Sequence, residues 1–340
     1  MRALIFIGVL CYSFSVWGQS QPLNEEVQIA FWNVENLFDT KDDTLTNDDE
    51  YLPYSMRGWN YDRYQKKLNH IYKTIIAMGE WQPPTLIALA EVENKHVLED
   101  LLTQTPLARV GYHIVHQNSE DRRGIDLAIL YQPKKIALLD TTFINIRFPA
   151  APNSRTRDVI YIKGKVLAAE DTIHLWANHW PSRYGGGKSS EGRRVYVSDV
   201  VKAHLENVIQ NDENARCIVL GDFNDAPNDL SLQNLSSGKV KLTLTTQESF
   251  HGTHKYQGIW SHFDQIWLSP SVSNKVSEGT SAIEGIVFHP EWLLTKDKTF
   301  GGVKPYRTYV GYRYQGGFSD HLPVYVKLKY SYHSLATNEQ

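Results

Sequence analysis

The sequence predicts one α/β domain that occupies nearly the whole chain, and three observations lead to this prediction. Strand-like and helix-like segments alternate from residue 27 to residue 328 without an internal repeat. No Pro- or Ser-rich linker divides them, although a chain of 340 residues is long enough for two domains. Polar side chains recur where the strand-like segments end, and α/β proteins commonly build their sites at such ends.

The composition is that of an ordinary globular protein. Hydrophobic residues make up 41% of the chain, and its 9 Trp, 19 Tyr and 12 Phe supply a large core. Disordered and fibrous classes are therefore excluded. The formal net charge of −3 also excludes a strongly basic surface, so any binding of a polyanion must depend on a local cluster of charge.

The first residues are typical of a secretory signal peptide. Arg2 supplies a positive charge, residues 3–10 are almost continuously apolar, and Gly18 stands at the expected cleavage point. The apolar run is shorter than the ~20 residues that span a bilayer, which disfavours a membrane anchor. We therefore expect a signal peptide over residues 1–18, export to a periplasm or to the medium, and no stable membrane span.

Apolar periodicity and chain breakers define the expected elements. Helices are expected over residues 61–78, 95–104 and 193–210. The first has apolar side chains three and four positions apart, between a capping Asn60 and a terminating Gly79. Strands are expected over residues 27–33, 86–92, 126–131, 159–167, 172–178, 216–220, 262–268 and 322–328. Long loops are expected over residues 39–59, 182–192 and 288–317, the domain over residues 19–330, and a polar tail over residues 331–340.

Six of the expected strand ends carry carboxylate, amide or imidazole side chains. These are Asn33 and Glu35; Glu91, Glu93 and Asn94; Asn178 and His179; Asp222, Asn224 and Asp225; Asp264; and Asp320 and His321. Each group alone is typical of a turn or a helix cap. Together they form an oxygen-rich donor set without a thiol, which suits a hard cation such as Mg²⁺, Mn²⁺ or Ca²⁺.

Four short motifs resemble those of the endonuclease/exonuclease/phosphatase superfamily. They are Asn33, Ala90-Glu91-Val92, Gly221-Asp222-Phe223-Asn224 and Ser319-Asp320-His321, in the superfamily's order and approximate spacing. The chain is thus similar to deoxyribonuclease I, exonuclease III, sphingomyelinases and inositol polyphosphate phosphatases. The resemblance implies a four-layer sandwich in which two mixed β-sheets pack face to face with helices outside.

The same resemblance implies a role for each site residue. Glu91 would be the principal metal ligand, with Asn33 and Asp320 near the metal. Asp222 would orient or deprotonate the attacking water, helped by Asn224. His321 would contact the scissile phosphate and pair with Asp264, and His179 would be a second catalytic histidine. A metal ion, Mg²⁺ or Mn²⁺ with Ca²⁺ as a further candidate, would neutralise charge that develops on the phosphate oxygens.

For several residues the sequence allows two interpretations of their role. Glu93 shares a strand face with Glu91, so it is either a ligand or a hydrogen-bonding loop residue, and the role of Asp126 is open. The basic residues of the 182–194 region, Arg183, Lys188, Arg193 and Arg194, either bind substrate phosphates or form solvated surface. Tyrosines and arginines between residues 306 and 314 either pack a long loop or contact bases. His251 and His254 are only weak evidence for a zinc site.

We therefore expect a monomeric, metal-dependent hydrolase that cleaves phosphate esters with activated water and without a covalent intermediate. Its most favoured substrate is a nucleic acid, which would make it an endonuclease-like phosphodiesterase. A phospholipid head group or a sugar or inositol phosphate is the alternative substrate class. A catalytically inactive, exported binding module is the alternative of another class. The residues leave open the natural substrate, the choice between endo- and exo-action, and the number of metal ions.

Overall fold

The computed structural model describes residues 23–332, apart from residues 81, 184–185, 246–249, 273–282 and 284. The expected signal peptide and residues 333–340 lie outside the described residues. Ser331 and Tyr332 are the last two residues of a strand. The polar tail predicted over residues 331–340 otherwise lies outside the described residues and stays a prediction.

Four α-helices and three short 3₁₀ helices are described. The α-helices are α1 (Tyr61–Met78), α2 (Lys95–Thr103), α3 (Gly187–Asn211) and α4 (Leu230–Ser236), and the 3₁₀ helices are Asp49–Tyr51, Pro106–Arg109 and Glu291–Leu293. The strands of the first half are β1 (Leu23–Leu37), β2 (Leu86–Val92), β3 (His113–His116), β4 (Asp126–Tyr131), β5 (Ile136–Ile144), β6 (Val159–Val166) and β7 (Asp171–His179). Those that follow are β8 (Arg216–Asp222), β9 (Thr243–Leu244), β10 (His254–Tyr256), β11 (Ile259–Ser261), β12 (Asp264–Leu268), β13 (Gly285–Val287), β14 (Leu294–Lys296), β15 (Val303–Pro305), β16 (Tyr309–Val310), β17 (Arg313–Tyr314) and β18 (Val324–Tyr332).

Two six-stranded mixed sheets form the body of the molecule. The first has the order β13-β18-β1-β2-β4-β3 and the second the order β5-β6-β7-β8-β12-β9. In each sheet one central pair is parallel, β1 with β2 and β7 with β8, and the other pairs are antiparallel. This arrangement confirms the predicted α/β fold with two mixed sheets.

Alternation along the strands distributes apolar side chains between three layers of core. Phe31 of β1 and Leu220 of β8 belong to the cluster between the two sheets. The next residue of β1, Trp32, faces the other way and packs with α1. Trp176 of β7 packs with Val201 of α3 in a third cluster. The helices therefore cover the outer faces of both sheets, which gives the predicted four layers.

Helix α1 has the predicted bounds, because strong local signals mark both of its ends. Asn60 caps it by accepting a hydrogen bond from the backbone N–H of Arg63 at 3.1 Å. Its buried stripe runs from Tyr64 to Met78. Tyr61, which the periodicity placed on the same stripe, is 61% exposed because it opens the first turn. Within the described residues, no helix combines the length and the apolar character that crossing a bilayer requires.

The structure differs from the sequence prediction at helix α3 and at strand β5. Helix α3 begins at Gly187, so the second half of the predicted loop over residues 182–192 is helical. Glycines and serines make this turn a weak helix former, but Arg194 donates to Ser190 Oγ at 2.6 Å and supports it. Strand β5 was not predicted. It is an edge strand whose middle is exposed, so it lacks a buried apolar alternation.

Gly221 is the position on β8 where a side chain has no room. Its φ is 154°, and a Cβ there would lie 2.2 Å from the backbone oxygen of Asn178 on β7. Because the obstructing atom belongs to a paired strand, it cannot move aside easily. Gly221→Ala is therefore expected to lower the free energy of unfolding by about 1–3 kcal/mol, the usual cost of overpacking. Urea denaturation of the purified protein measures this loss.

Gly192 supplies the matched control within α3. No heavy atom lies within 4 Å of a Cβ added there. Gly192→Ala is expected to raise the free energy of unfolding by about 0.5–1 kcal/mol, because alanine loses less backbone entropy in a helix. Equal urea midpoints for Gly221→Ala and the unmodified protein would contradict the proposed close approach of β7 and β8.

Candidate active site

Strand register brings three predicted site residues together at one end of the second sheet. His179 ends β7 opposite Asp222 of the parallel strand β8. Asp264 begins the antiparallel strand β12, also opposite Asp222. Asp222 is therefore the central residue at this end of the sheet, with His179 on the strand to one side and Asp264 on the strand to the other.

Hydrogen bonds from both sheets fix the carboxylate of Asp222. Asn33 of β1 donates from Nδ2 to Asp222 Oδ2 at 3.0 Å, which joins the first sheet to the second. The backbone N–H of Asn224 donates to Asp222 Oδ1 at 2.9 Å. The side chain of Asn224 instead donates to the backbone oxygen of Trp180 at 3.1 Å. Asp222 is only 1% exposed, so these donors replace most of its solvent.

Two histidines direct ring nitrogens toward the same carboxylate oxygen. The Nε2 atom of His179 lies 3.6 Å from Asp222 Oδ2, and that of His321 lies 3.8 Å from it. Both distances exceed a direct hydrogen bond. His321 is held from its other side, where Nδ1 lies 2.8 Å from Asp264 Oδ2. The three groups therefore surround a small space that is lined by one carboxylate and two imidazoles.

The two histidines differ in charge. Burial lowers the pKa of His321, but the carboxylates of Asp264 and Asp222 outweigh it and raise that pKa well above the ordinary value. Burial, reinforced by Arg157 and Arg123, lowers the pKa of His179 well below the ordinary value. At neutral pH the site therefore holds a cationic His321 beside a neutral His179.

Asp222 is largely ionised at neutral pH. Burial raises its pKa to about 6, partly offset by the neighbouring charge of His321. Glu91, at the end of β2, has its pKa raised by burial and then by the negative charge of Asp320. Its backbone has a φ of 64°, a left-handed conformation that costs a non-glycine residue free energy and often occurs at functional sites.

A partly exposed ion-pair network holds Asp320. Arg307 Nη2 lies 2.9 Å from Asp320 Oδ2, and Arg307 Nε lies 3.2 Å from Glu35 Oε1. Burial opposes ionisation of Asp320, but Arg307 and then His321 lower its pKa well below the usual range. The same burial raises the pKa of Glu35. Asp320 is therefore ionised at neutral pH, and it lies shortly before the start of β18.

Two residues with predicted metal roles, Glu91 and Asp320, carry oxygen donors of the kind that a hard divalent cation prefers and influence each other electrostatically. Within the described residues, the groups whose ligand atoms lie within 4.8 Å of one another are His254, Asp320 and His321, and Asp222, Asp264 and His321. The charge of Asp320 raises the pKa of Glu91, so two carboxylates repel each other across the site. The nearby Asn33 adds an amide oxygen, which also accepts from the backbone N–H of Glu35 at 3.0 Å. A divalent ion held by these oxygens would relieve the repulsion between the two carboxylates.

His254 is a site residue that sequence reasoning assigned to a different pair. Its ligand atom lies within 4.8 Å of those of Asp320 and His321, and its ring centroid lies 4.7 Å from that of His321. Burial lowers its pKa to about 3, so its ring is neutral. Residues 254 and 321 meet through a backbone bridge. His251, the expected partner of His254, is exposed.

The structure also places residues whose roles were open. Glu93 accepts from the backbone N–H of Asp39 at 2.6 Å and so fastens the loop that follows β1. Asp126 accepts from the backbone N–H of Ser119 at 3.0 Å, and burial raises its pKa to about 7. Both carboxylates therefore accept hydrogen bonds from loop residues.

Two arginines of the 182–194 region are engaged within the protein. Arg183 Nη2 lies 2.7 Å from Asp225 Oδ1, and Arg194 Nε lies 2.7 Å from Asp225 Oδ2. Both therefore support the loop after β8. The aromatic segment near residue 309, which was predicted as part of a long loop, instead forms the short strands β16 and β17. It packs against the protein, since Tyr309 is buried 6.1 Å from the ring of Trp59.

A family comparison matches most of the chain. The model of the endonuclease/exonuclease/phosphatase family matches residues 28–330. The chain belongs to the endonuclease/exonuclease/phosphatase family. This result confirms the resemblance predicted from the four motifs. Members of the family are metal-dependent phosphoric ester hydrolases.

Solved structures of low sequence identity share the fold of this family member. An endonuclease/exonuclease/phosphatase family protein from Bacteroides thetaiotaomicron aligns with a TM-score of 0.58 at 16% identity, covering 92% of this chain and 99% of that chain. A mannosyl-6-phosphatase from the same organism aligns with a TM-score of 0.56 at 16% identity, covering 88% of this chain and 98% of that chain. D. rerio TDP2 complexed with a single-strand DNA product aligns with a TM-score of 0.52 at 15% identity, covering 90% of this chain and 99% of that chain. The search of curated proteins finds no match.

Proposed function

We propose that this family member is a divalent-metal-dependent phosphodiesterase that hydrolyses a nucleic-acid strand with activated water. The observation that carries the proposal is the arrangement around Asp222, an ionisable carboxylate that faces the Nε2 atoms of two histidines. A phosphate group is the ligand class whose oxygens suit this arrangement, because it accepts hydrogen bonds from imidazoles while a carboxylate binds the attacking water.

Asp222 acts as the general base in this proposal. Asn33 and the backbone N–H of Asn224 hold its two oxygens, so the carboxylate has a fixed orientation. A pKa of about 6 leaves it ionised at neutral pH but still basic enough to accept a proton from water. Water bound within hydrogen-bonding distance of Asp222 Oδ2 would be the nucleophile, without a covalent intermediate.

The two histidines hold the phosphate oxygens in this proposal. His321, kept cationic by Asp264, donates from Nε2 to a non-bridging oxygen and stabilises charge that develops there. Neutral His179 lies across Asp222 and, in the tautomer that carries its proton on Nε2, donates to a second oxygen. Asp264 is a positioning residue, because it acts through the ring of His321.

Glu91 and Asp320 would hold the metal ion, with Asn33 beside them. When bound, the ion supplies Lewis-acid stabilisation of the phosphate oxygens and of the leaving group. Mg²⁺ and Mn²⁺ suit this sparse set, because they retain several water ligands and need few carboxylates from the protein. Asn36, whose backbone N–H donates to Glu91 Oε2 at 3.0 Å, would keep the other carboxylate oxygen directed at the metal.

Nucleic acid is the preferred substrate class, and sugar phosphate is the second candidate. The similar structure of TDP2 contains a single-strand DNA product, which supports the first. The similar mannosyl-6-phosphatase and the net charge of −3 support the second. A panel of oligonucleotides, a phospholipid and mannose 6-phosphate separates them, since the proposal requires the highest kcat/KM on the oligonucleotides.

Removal of the metal is expected to stop catalysis. The purified protein should hydrolyse bis(p-nitrophenyl) phosphate in the presence of Mg²⁺ or Mn²⁺, and an excess of EDTA should reduce the rate to the uncatalysed level. Adding the divalent ion back in excess of EDTA should restore it, which controls for denaturation. Release of p-nitrophenol measures each rate. A rate that EDTA does not change would contradict the metal role of Glu91 and Asp320.

A further inference from the structure

A small basic pocket lies beside the proposed reaction centre. Its volume is about 250 Å³, and its charged wall is formed by four arginines and one aspartate, with Thr156 among them: Arg123, Arg155, Arg157, Arg193 and Asp121. Sites that hold a whole small molecule usually measure about 300–1,000 Å³. This pocket therefore has the size for one charged group of a larger substrate, with the remainder of that substrate outside it.

Two buried polar atoms of the pocket wall have no partner within the described part of the chain. They are Thr156 Oγ1 and Arg157 Nε, on residues that are each 5% exposed. Buried donors without partners are uncommon, and each costs free energy unless a ligand or water satisfies it. Both atoms belong to groups that donate hydrogen bonds, so they favour an acceptor such as an anionic oxygen.

The positive charge of the pocket exceeds what its acidic neighbours neutralise. Arg157 pairs with Asp121 at 2.9 Å, and Arg155 pairs with Glu120 at 2.6 Å. Arg123 shares Asp121 with Arg157, at a longer 3.5 Å. In a chain whose net charge is −3, this excess is a local feature.

Arg193 adds a cation that the protein does not use. Its half-buried side chain makes no hydrogen bond or ion pair within the described residues, in contrast to neighbouring Arg194, which pairs with Asp225. A guanidinium without a partner at the rim of a pocket can bind two oxygens of a phosphoryl group at once. The rim therefore offers the geometry that phosphate recognition requires.

A single carbonyl group connects the pocket to the reaction centre. The backbone oxygen of Trp180 accepts from Asn224 Nδ2 at 3.1 Å and from Arg157 Nη2 at 2.7 Å. Trp180 directly follows His179 in the chain. Burial is the main cause that lowers the pKa of His179, and the positive charges of Arg157 and Arg123 lower it further. A ligand in the pocket therefore lies next to a phosphate held at His179.

We propose that this pocket binds a second phosphoryl group of the substrate, next to the phosphate that is hydrolysed. Arg193 and Arg155 bind its outer oxygens, and Thr156 Oγ1 and Arg157 Nε donate from the buried wall. This inference rests on the proposed function, because it assigns the second group to the same substrate. The second group is either the adjacent phosphate of a polynucleotide strand or the other phosphate of a small bisphosphate.

Calorimetry without metal tests the pocket independently of catalysis. Thymidine 3′,5′-bisphosphate and thymidine 5′-monophosphate are titrated into the full-length protein in buffer with EDTA. The bisphosphate is expected to bind at least about tenfold more tightly, since hydrogen bonds to charged groups contribute enough for that ratio. Equal affinities for the two nucleotides would overturn the proposal, whether or not the enzyme hydrolyses phosphate esters.

Two substitutions identify the residues. Arg193→Gln removes the rim cation, and Thr156→Val removes an unpartnered hydroxyl from a side chain of the same shape, so it should leave folding intact. Arg193→Gln is expected to reduce the preference for the bisphosphate by about tenfold, and Thr156→Val is expected to reduce it by several-fold. Arg109→Gln, an exposed arginine outside the pocket, should leave both affinities unchanged. Unaltered preference in both pocket variants would overturn the proposal.

Two further ligands identify the source of the second phosphoryl group. Oligothymidylate should bind with an affinity that falls as salt rises, and Arg193→Gln should reduce that salt slope by about one. Tighter binding of fructose 1,6-bisphosphate than of oligothymidylate would instead identify a small bisphosphate. Either result supports a second phosphoryl site. Failure of both ligands to lose affinity in Arg193→Gln would count against it.

Discussion

Asp222→Asn is expected to lower kcat for bis(p-nitrophenyl) phosphate by about 10²–10⁴-fold, the usual effect of losing a positioned general base. The amide keeps the shape of the carboxylate but cannot accept a proton from water. It also removes the negative charge that two histidines face at 3.6 and 3.8 Å. Steady-state rates at saturating Mn²⁺ measure the loss.

Asp140→Asn is the matched control for this experiment. Asp140 is an exposed aspartate on β5, and the same change there should leave kcat as it is. The urea midpoint of Asp222→Asn shows whether the variant folds, since removing a buried charge need not destabilise the protein. A folded Asp222→Asn protein with near-normal kcat would remove Asp222 from the chemical step.

His321→Gln is expected to cause a comparable loss of about 10²–10⁴-fold in kcat, because the proposed mechanism has its cationic ring contact the phosphate that is hydrolysed. Asp264→Asn should also lower kcat, since Asp264 holds Nδ1 of that ring at 2.8 Å. If Asp264 acts only through His321, the double variant should be no slower than His321→Gln alone. The kinetics of all four proteins give the coupling between the two residues.

The outcome that contradicts this pairing is additivity. If the losses of the two single variants multiply in the double variant, Asp264 has a function of its own. His251→Gln is the control, because His251 is exposed and lies outside the candidate site. It should retain the full rate.

The elements that the sequence predicted well are those whose local and tertiary preferences agree. Helix α1 has a cap, a stop and a regular stripe, and β2 and β4 are continuous apolar runs buried on both faces. Strand β5 escaped prediction because an exposed edge strand needs no apolar alternation. The first turns of α3 escaped because their residues have low helix propensity, and the hydrogen bond from Arg194 to Ser190 that supports them is not visible in propensity alone.

The candidate site divides in a similar way. Residues at the ends of strands, such as Asp222 and His179, were assigned to the candidate site from the sequence because a strand end places its polar side chains at one end of a sheet. Arg307 and His254 were not assigned to the site, because each meets Asp320 only through folding of segments that lack a strong period. The basic pocket likewise combines arginines from three separate stretches of sequence, so no single motif indicates it.

Titration of the metal with Glu91→Gln tests most directly whether these strand ends form one metal-dependent hydrolytic centre. The rate of bis(p-nitrophenyl) phosphate hydrolysis is followed as Mn²⁺ is added to the metal-free protein and to the variant. Because the substitution removes a charged ligand, the half-saturating Mn²⁺ concentration should rise by at least 10–100-fold, the range found even for groups that only support a ligand. Identical titration curves for both proteins would show that Glu91 does not bind the catalytic ion and would contradict the proposed centre.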